Sequence, residues 1–126
     1  MKIKIEKVSN VSGICKVGFS TEYGNATANW EGDLPEEGKE YFVEIETGEK
    51  FTLGNNLKIC EKGTFSIGME EDSISLTGCL ESIEDDGYAV LRLGDSIVSL
   101  EVIGAIPPES IVKVVSDEVT LFDVKY

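Results

Sequence analysis

The stretch YAVLRLGDSIVSLEVIG, residues 88–104, reads as a β-hairpin. Ala89, Leu91 and Leu93 alternate with Tyr88, Val90 and Arg92, the period of two that half-buries a strand. Gly94-Asp95 separates this run from Ser96–Ile103, and a two-residue loop led by glycine suits a type II′ turn. The same period recurs outward toward the start of the chain. Ile3 and Ile5 alternate with Lys2, Lys4 and Glu6; Ala26, Ala28 and Trp30 with Asn25, Thr27 and Asn29; Tyr41, Val43 and Ile45 with Glu40, Glu44 and Glu46. No segment keeps a 3.6-residue period for two turns. The nearest, Pro108–Val112, runs into Val112-Lys113-Val114-Val115, whose β-branched residues favour a strand. Breaks at Tyr23-Gly24-Asn25, Thr47-Gly48-Glu49, Gly54-Asn55-Asn56 and Asp85-Asp86-Gly87 come mostly every 8–12 residues. That spacing predicts an all-β sandwich or small barrel.

Gly104-Ala105-Ile106-Pro107-Pro108-Glu109, just past the hairpin, echoes Gly32-Asp33-Leu34-Pro35-Glu36-Glu37. Ile3-Lys4-Ile5 is likewise echoed by Ile74-Ser75-Leu76. The chain therefore reads as two related five-stranded Greek-key units of the OB or SH3-like kind: three meandering strands, a Gly/Pro loop and two more. Residues 1–54 form the first and 72–126 the second, with 55–71 as a connector holding an extra strand near Thr64–Met69. A unit of about 55 residues buries a marginal core alone. The two are expected to pack as one pseudo-symmetric sandwich or as fused small barrels.

Composition excludes several classes. Of 126 residues, 41% are hydrophobic, too many for a disordered acidic tail. The alternating start Met1-Lys2-Ile3-Lys4-Ile5 lacks the apolar run of a signal peptide, so an unexported, cytoplasmic chain is expected. No run of 18 apolar residues occurs, so no membrane helix is expected. The net charge of −13 opposes nucleic-acid backbones and anionic membranes. Histidine is absent and Cys15, Cys60 and Cys79 form no C-x-x-C pair, which argues against zinc and favours reduced thiols. No metal and no cofactor are expected.

Charge is concentrated in the second half. Residues 1–63 carry eight Lys against eleven acids, whereas 64–126 carry Arg92, Lys113 and Lys125 against thirteen. Glu70, Glu71, Asp72, Glu81, Glu84, Asp85 and Asp86 fall in a stretch without one cation, and they are the candidate partner-binding residues. They lie in two groups at opposite ends of a strand read as Ser73–Leu80, about 25 Å apart. One metal cannot bridge them, but a broad basic surface can face both. Tyr23 and Trp30 are secondary candidates, as aromatic anchors, although a core role for Trp30 is the plainer reading.

Without histidine no Ser-His-Asp or Cys-His set exists, and no phosphate-binding glycine loop occurs, so catalysis is not expected. The expected function is an acidic protein-binding inhibitor. Its most concrete form is an immunity protein that neutralises a basic toxin, nuclease-like, by electrostatic docking. Ten Lys against one Arg suits an AT-rich bacterial genome. The alternatives are an assembly subunit of a bacterial or phage complex, which would use sheet edges, and a small-ligand or sugar-binding module using Trp30.

Overall fold

The computed structural model describes residues 1–124; Lys125 and Tyr126 lie outside the described residues. The described chain contains strands and no helix: β1 (Lys2–Val11), β2 (Ile14–Thr21), β3 (Gly24–Glu31), β4 (Glu40–Thr52), β5 (Leu57–Cys60), β6 (Ser66–Glu70), β7 (Ser73–Ile83), β8 (Tyr88–Leu93), β9 (Ser96–Ile103), β10 (Ser110–Ser116) and β11 (Val119–Asp123). All eleven belong to one mixed sheet in the order β1-β2-β3-β11-β4-β9-β8-β7-β10-β5, with β6 on β7 and a further pairing of β1 with β4. Alternation works as the sequence reads: Ala26, Ala28 and Trp30 point inward from β3, and Val98, Leu100 and Val102 from β9. Buried apolar residues from both halves belong to one core cluster.

Long-range pairing connects the halves in a way the local pattern does not announce. The last strand, β11, enters the first half between β3 and β4, parallel to β3 and antiparallel to β4. Because β4 also pairs with β1, the strands β1, β2, β3, β11 and β4 close on themselves. Conversely, the end of β4 runs parallel to β9, and β5 lies antiparallel to β10. Residues 50–60 thereby complete a circuit with β7, β8, β9 and β10.

Three local expectations are revised. Thr47-Gly48-Glu49 is no turn: β4 runs through it, and here its pairing with β11 ends while its pairing with β9, begun at Glu46, shifts register before Lys50. The Gly48 N–H donates to the Glu118 carbonyl (2.8 Å), which holds this crossing point. The connector holds the expected extra strand as β6, but also β5, whose Leu57 is fully buried. The echoed residues Ile5 and Leu76 differ in setting: the ladder shifts directly after Ile5 in β1, but after Leu80 and not Leu76 in β7.

β6 crosses the start of β3, where the Ile67 N–H donates to the Tyr23 carbonyl (3.0 Å). Gly24 permits the crossing: its φ is +138°, and a Cβ there would stand 2.0 Å from the Ile67 carbonyl oxygen. Gly24→Ala combines positive-φ strain with a backbone clash, so it should cost about 1–3 kcal/mol in urea unfolding. Hydrogen exchange should show protection lost first at Ile67 and its β6 neighbours.

Candidate functional site

The acidic residues singled out in the sequence remain two groups. Glu70 ends β6, and Glu71 and Asp72 form the β6–β7 turn, Glu71 at a φ of +56°. Glu81 lies near the far end of β7, and Glu84, Asp85 and Asp86 follow it in the β7–β8 turn. β7 has eleven residues, more than the reading Ser73–Leu80 allowed. At about 3.3 Å per residue its ends are about 33 Å apart along the strand.

Two of the seven carboxylates are neutralised locally. Glu81 takes Arg92 in a fork, with Nε to Oε1 at 2.6 Å and Nη2 to Oε2 at 3.3 Å. Glu70 is paired with Lys113. Among the described residues, Glu71, Asp72, Glu84, Asp85 and Asp86 have no ion pair. Of the seven candidates, these five are the ones that contribute negative charge without a paired cation.

The two pairs set a testable pH dependence. The Arg92 hydrogen bond holds the Glu81 carboxyl below its ordinary value, and Lys113 does the same for Glu70. Both pairs are solvent-exposed, so each stabilises little. A carboxyl lowered in the folded state adds stability above its unfolded pKa, and that stability is lost as pH falls through the lowered folded value. In a carbon-detected NMR titration, Glu81 should protonate below the usual carboxylate range. Arg92→Gln should return it upward without moving Glu70.

Strand exchange adds acids that sequence reading missed. The β10–β11 turn carries Asp117 and Glu118 to the β6–β7 end. There the Ser73 hydroxyl donates to the Asp117 carboxylate, and the Asp117 N–H donates to Glu49 Oε1 (3.0 Å). A crevice of about 390 Å³ beside them is lined by Lys16, Asn29, Met69, Asp72 and Asp117. Asp117 and Glu118 were not among the candidates, because their neighbours depend on where β11 inserts. Among the described residues, no three His, Cys, Asp or Glu side chains are grouped to hold a metal ion.

The aromatic candidates occupy different settings. Trp30 is 5% exposed, its indole N–H donates to the Asp33 carbonyl (2.9 Å), and its ring meets Tyr41 edge-on at 5.3 Å. It is a core side chain with no surface to offer a partner. Tyr23 is half-buried, edge-on to Phe65 at 6.2 Å. A hydrogen bond with Glu22, then burial, raise its phenol pKa. Tyr23 also borders a cleft of about 600 Å³, whose other walls include Lys2, Glu22, Glu40, Phe42 and Asp95. Cys15, Cys60 and Cys79 are free thiols, each half-buried.

These sites offer exposed carboxylates and a cleft of mixed polar and apolar lining. Comparison with protein-family models, curated proteins and solved structures finds no match.

Proposed function

We propose that the chain is an acidic protein-binding inhibitor without catalytic activity of its own. Its most concrete form is a cytoplasmic bacterial immunity protein that docks a basic, nuclease-type toxin. The observation that carries this reading is the set of carboxylates without ion pairs at the two ends of β7: Glu71 and Asp72 at one, Glu84, Asp85 and Asp86 at the other. A patch of like charge disfavours the compact state, and attraction to a cationic partner compensates for that cost. A standard interface of about 800 Å² per partner is about 32 Å across. One such interface reaches both ends of β7 only at its rim. We therefore place direct contact at one end and long-range steering at both.

The finer architecture belongs to the same proposal. We read the chain as two related Greek-key units, OB- or SH3-like, that exchange their last strands. Several matched features support this. The ladder shifts at Ile5/Lys7 and again at Leu80/Ser82. Gly32 and Gly104 have φ of +127° and +128°. Trp30 of β3 faces Leu121 in a parallel pairing, and Val102 of β9 faces Phe51 in another.

The test is capture of a cationic nuclease from native cells on the immobilised chain, followed by an inhibition assay. Stoichiometric inhibition that weakens with salt supports the reading. Capture indifferent to ionic strength removes it.

A further inference from the structure

We infer that the 600 Å³ cleft beside Lys2 is a strand-addition site, which takes an extended segment of a partner polypeptide antiparallel to β1. The inference rests on the two-unit correspondence proposed above, not on the identity of the partner.

The backbone supplies the first argument. Met1 and Val43 exchange both of their main-chain hydrogen bonds, at 2.9 and 2.8 Å. In an antiparallel ladder the next residue turns its N–H and C=O the other way. Lys2 thus aims both groups away from β4, toward β2. The β1–β2 ladder, however, begins only at Lys4, opposite Ser20. Among the described residues no backbone partner meets Lys2 on that side. An unpaired donor and acceptor on a strand edge that borders a cleft is the element used in β-augmentation.

The other half supplies the second argument, because there the matching place is filled. Lys4 pairs with Glu40 as Cys79 pairs with Ile111, and the ladder shifts one residue beyond in both. Lys2 therefore corresponds to Thr77. The edge of Thr77 is occupied by Ser66 of β6. The next residue, Ile67, is 3% exposed and donates to the Tyr23 carbonyl at the start of the β2–β3 hairpin. The β8–β9 turn presents Asp95 and Ser96 to the cleft in the corresponding position. The cleft thus combines a free edge with a counterpart of the hairpin that anchors β6.

The walls define the occupant. Where Phe65 meets the Tyr23 ring beside β6, the cleft offers Asp95 with Glu22 nearby. Phe42, 48% exposed, supplies an apolar wall. The fitting segment is extended, apolar at alternate positions, and carries Lys or Arg at the position that Phe65 takes just before β6.

The probe is a synthetic peptide of residues 64–70 with Phe65→Lys, titrated into the isotopically labelled full chain and followed by NMR. The expected result is saturable shifts at the Lys2 and Asp95 amides. The unmodified 64–70 peptide should bind about threefold or more weaker. Lys2→Pro removes the cleft-facing donor and the exposed Lys2–Glu40 ion pair but none of the β1–β4 backbone bonds, so it should weaken binding about tenfold or more with folding unchanged. Absence of shifts, or shifts indifferent to Lys2→Pro, overturns the site. The free protein in the same tube reads the two-unit reading separately, through cross-strand contacts of Ser66 with Thr77 and Leu121 with Trp30. If these are missing, that reading falls and the site with it; if they are present without peptide binding, the site alone falls.

Discussion

Phe51→Ala is expected to remove about 3–5 kcal/mol of folding stability, the range for a fully buried phenylalanine. Phe51 is 0% exposed and sits opposite Val102 of β9, yet it belongs to β4, a strand that starts in the first half. Truncation leaves a cavity among second-half residues by altering a first-half strand. A domain of this size has about 5–15 kcal/mol in total, so the loss is large. Leu121→Ala is the counterpart, in a last-half strand buried against Trp30, with about 2–5 kcal/mol expected. Urea unfolding followed by circular dichroism and by Trp30 fluorescence checks both. Since one core cluster includes both halves, the two probes should move together for each variant. Separate transitions, with only one shifted, would mean that the halves unfold independently.

Combining Glu84→Lys, Asp85→Lys and Asp86→Asn should slow capture of a basic partner by about 10- to 1,000-fold at low salt. Asparagine is chosen at position 86 because Asp86 Oδ1 accepts the Tyr88 N–H (3.0 Å), and an amide oxygen keeps that turn bond. Stopped-flow association at several ionic strengths is the measurement. Steering predicts that the wild-type rate falls steeply with salt and that the variant's rate falls less steeply. A variant indistinguishable from wild type at every salt concentration would exclude this turn. The same substitutions made at Asp72 and Asp117 would then ask whether the β6–β7 end is the contact.

Much of the local architecture was legible because it depends on neighbours in sequence. Alternation placed β3, β8 and β9, and the Gly94-Asp95 turn falls between β8 and β9 as expected. Illegible were contacts set by pairing across the chain. Nothing in Val119–Asp123 says that it will lie between β3 and β4 rather than beside β10, because an amphipathic strand satisfies either slot. Gly48 misled for a related reason: a glycine among polar residues signals a turn, but here it marks a strand passing between partners. The candidate acids were read as two groups at opposite ends of one strand. Glu70 and Glu81 proved to be neutralised by Lys113 and Arg92, whose proximity is a property of the sheet. Asp117 and Glu118 were overlooked because insertion of β11 brings them to the β6–β7 turn.

The insertion of β11 also fixes how the molecule bears mechanical load. β1 and β11 both run antiparallel to β4 and flank it, so they are parallel to each other. Lys2 sits opposite Phe42 and Asp123 opposite Val43, at the same level of β4. Tension applied at these two ends is therefore directed across the strands, not along them. It loads the bonds to β4 from one end, beginning at Phe42 and Val43, so that they open one after another. A protein tethered at Lys2 and Asp123 would therefore yield gradually, by peeling of β1 and β11 from β4.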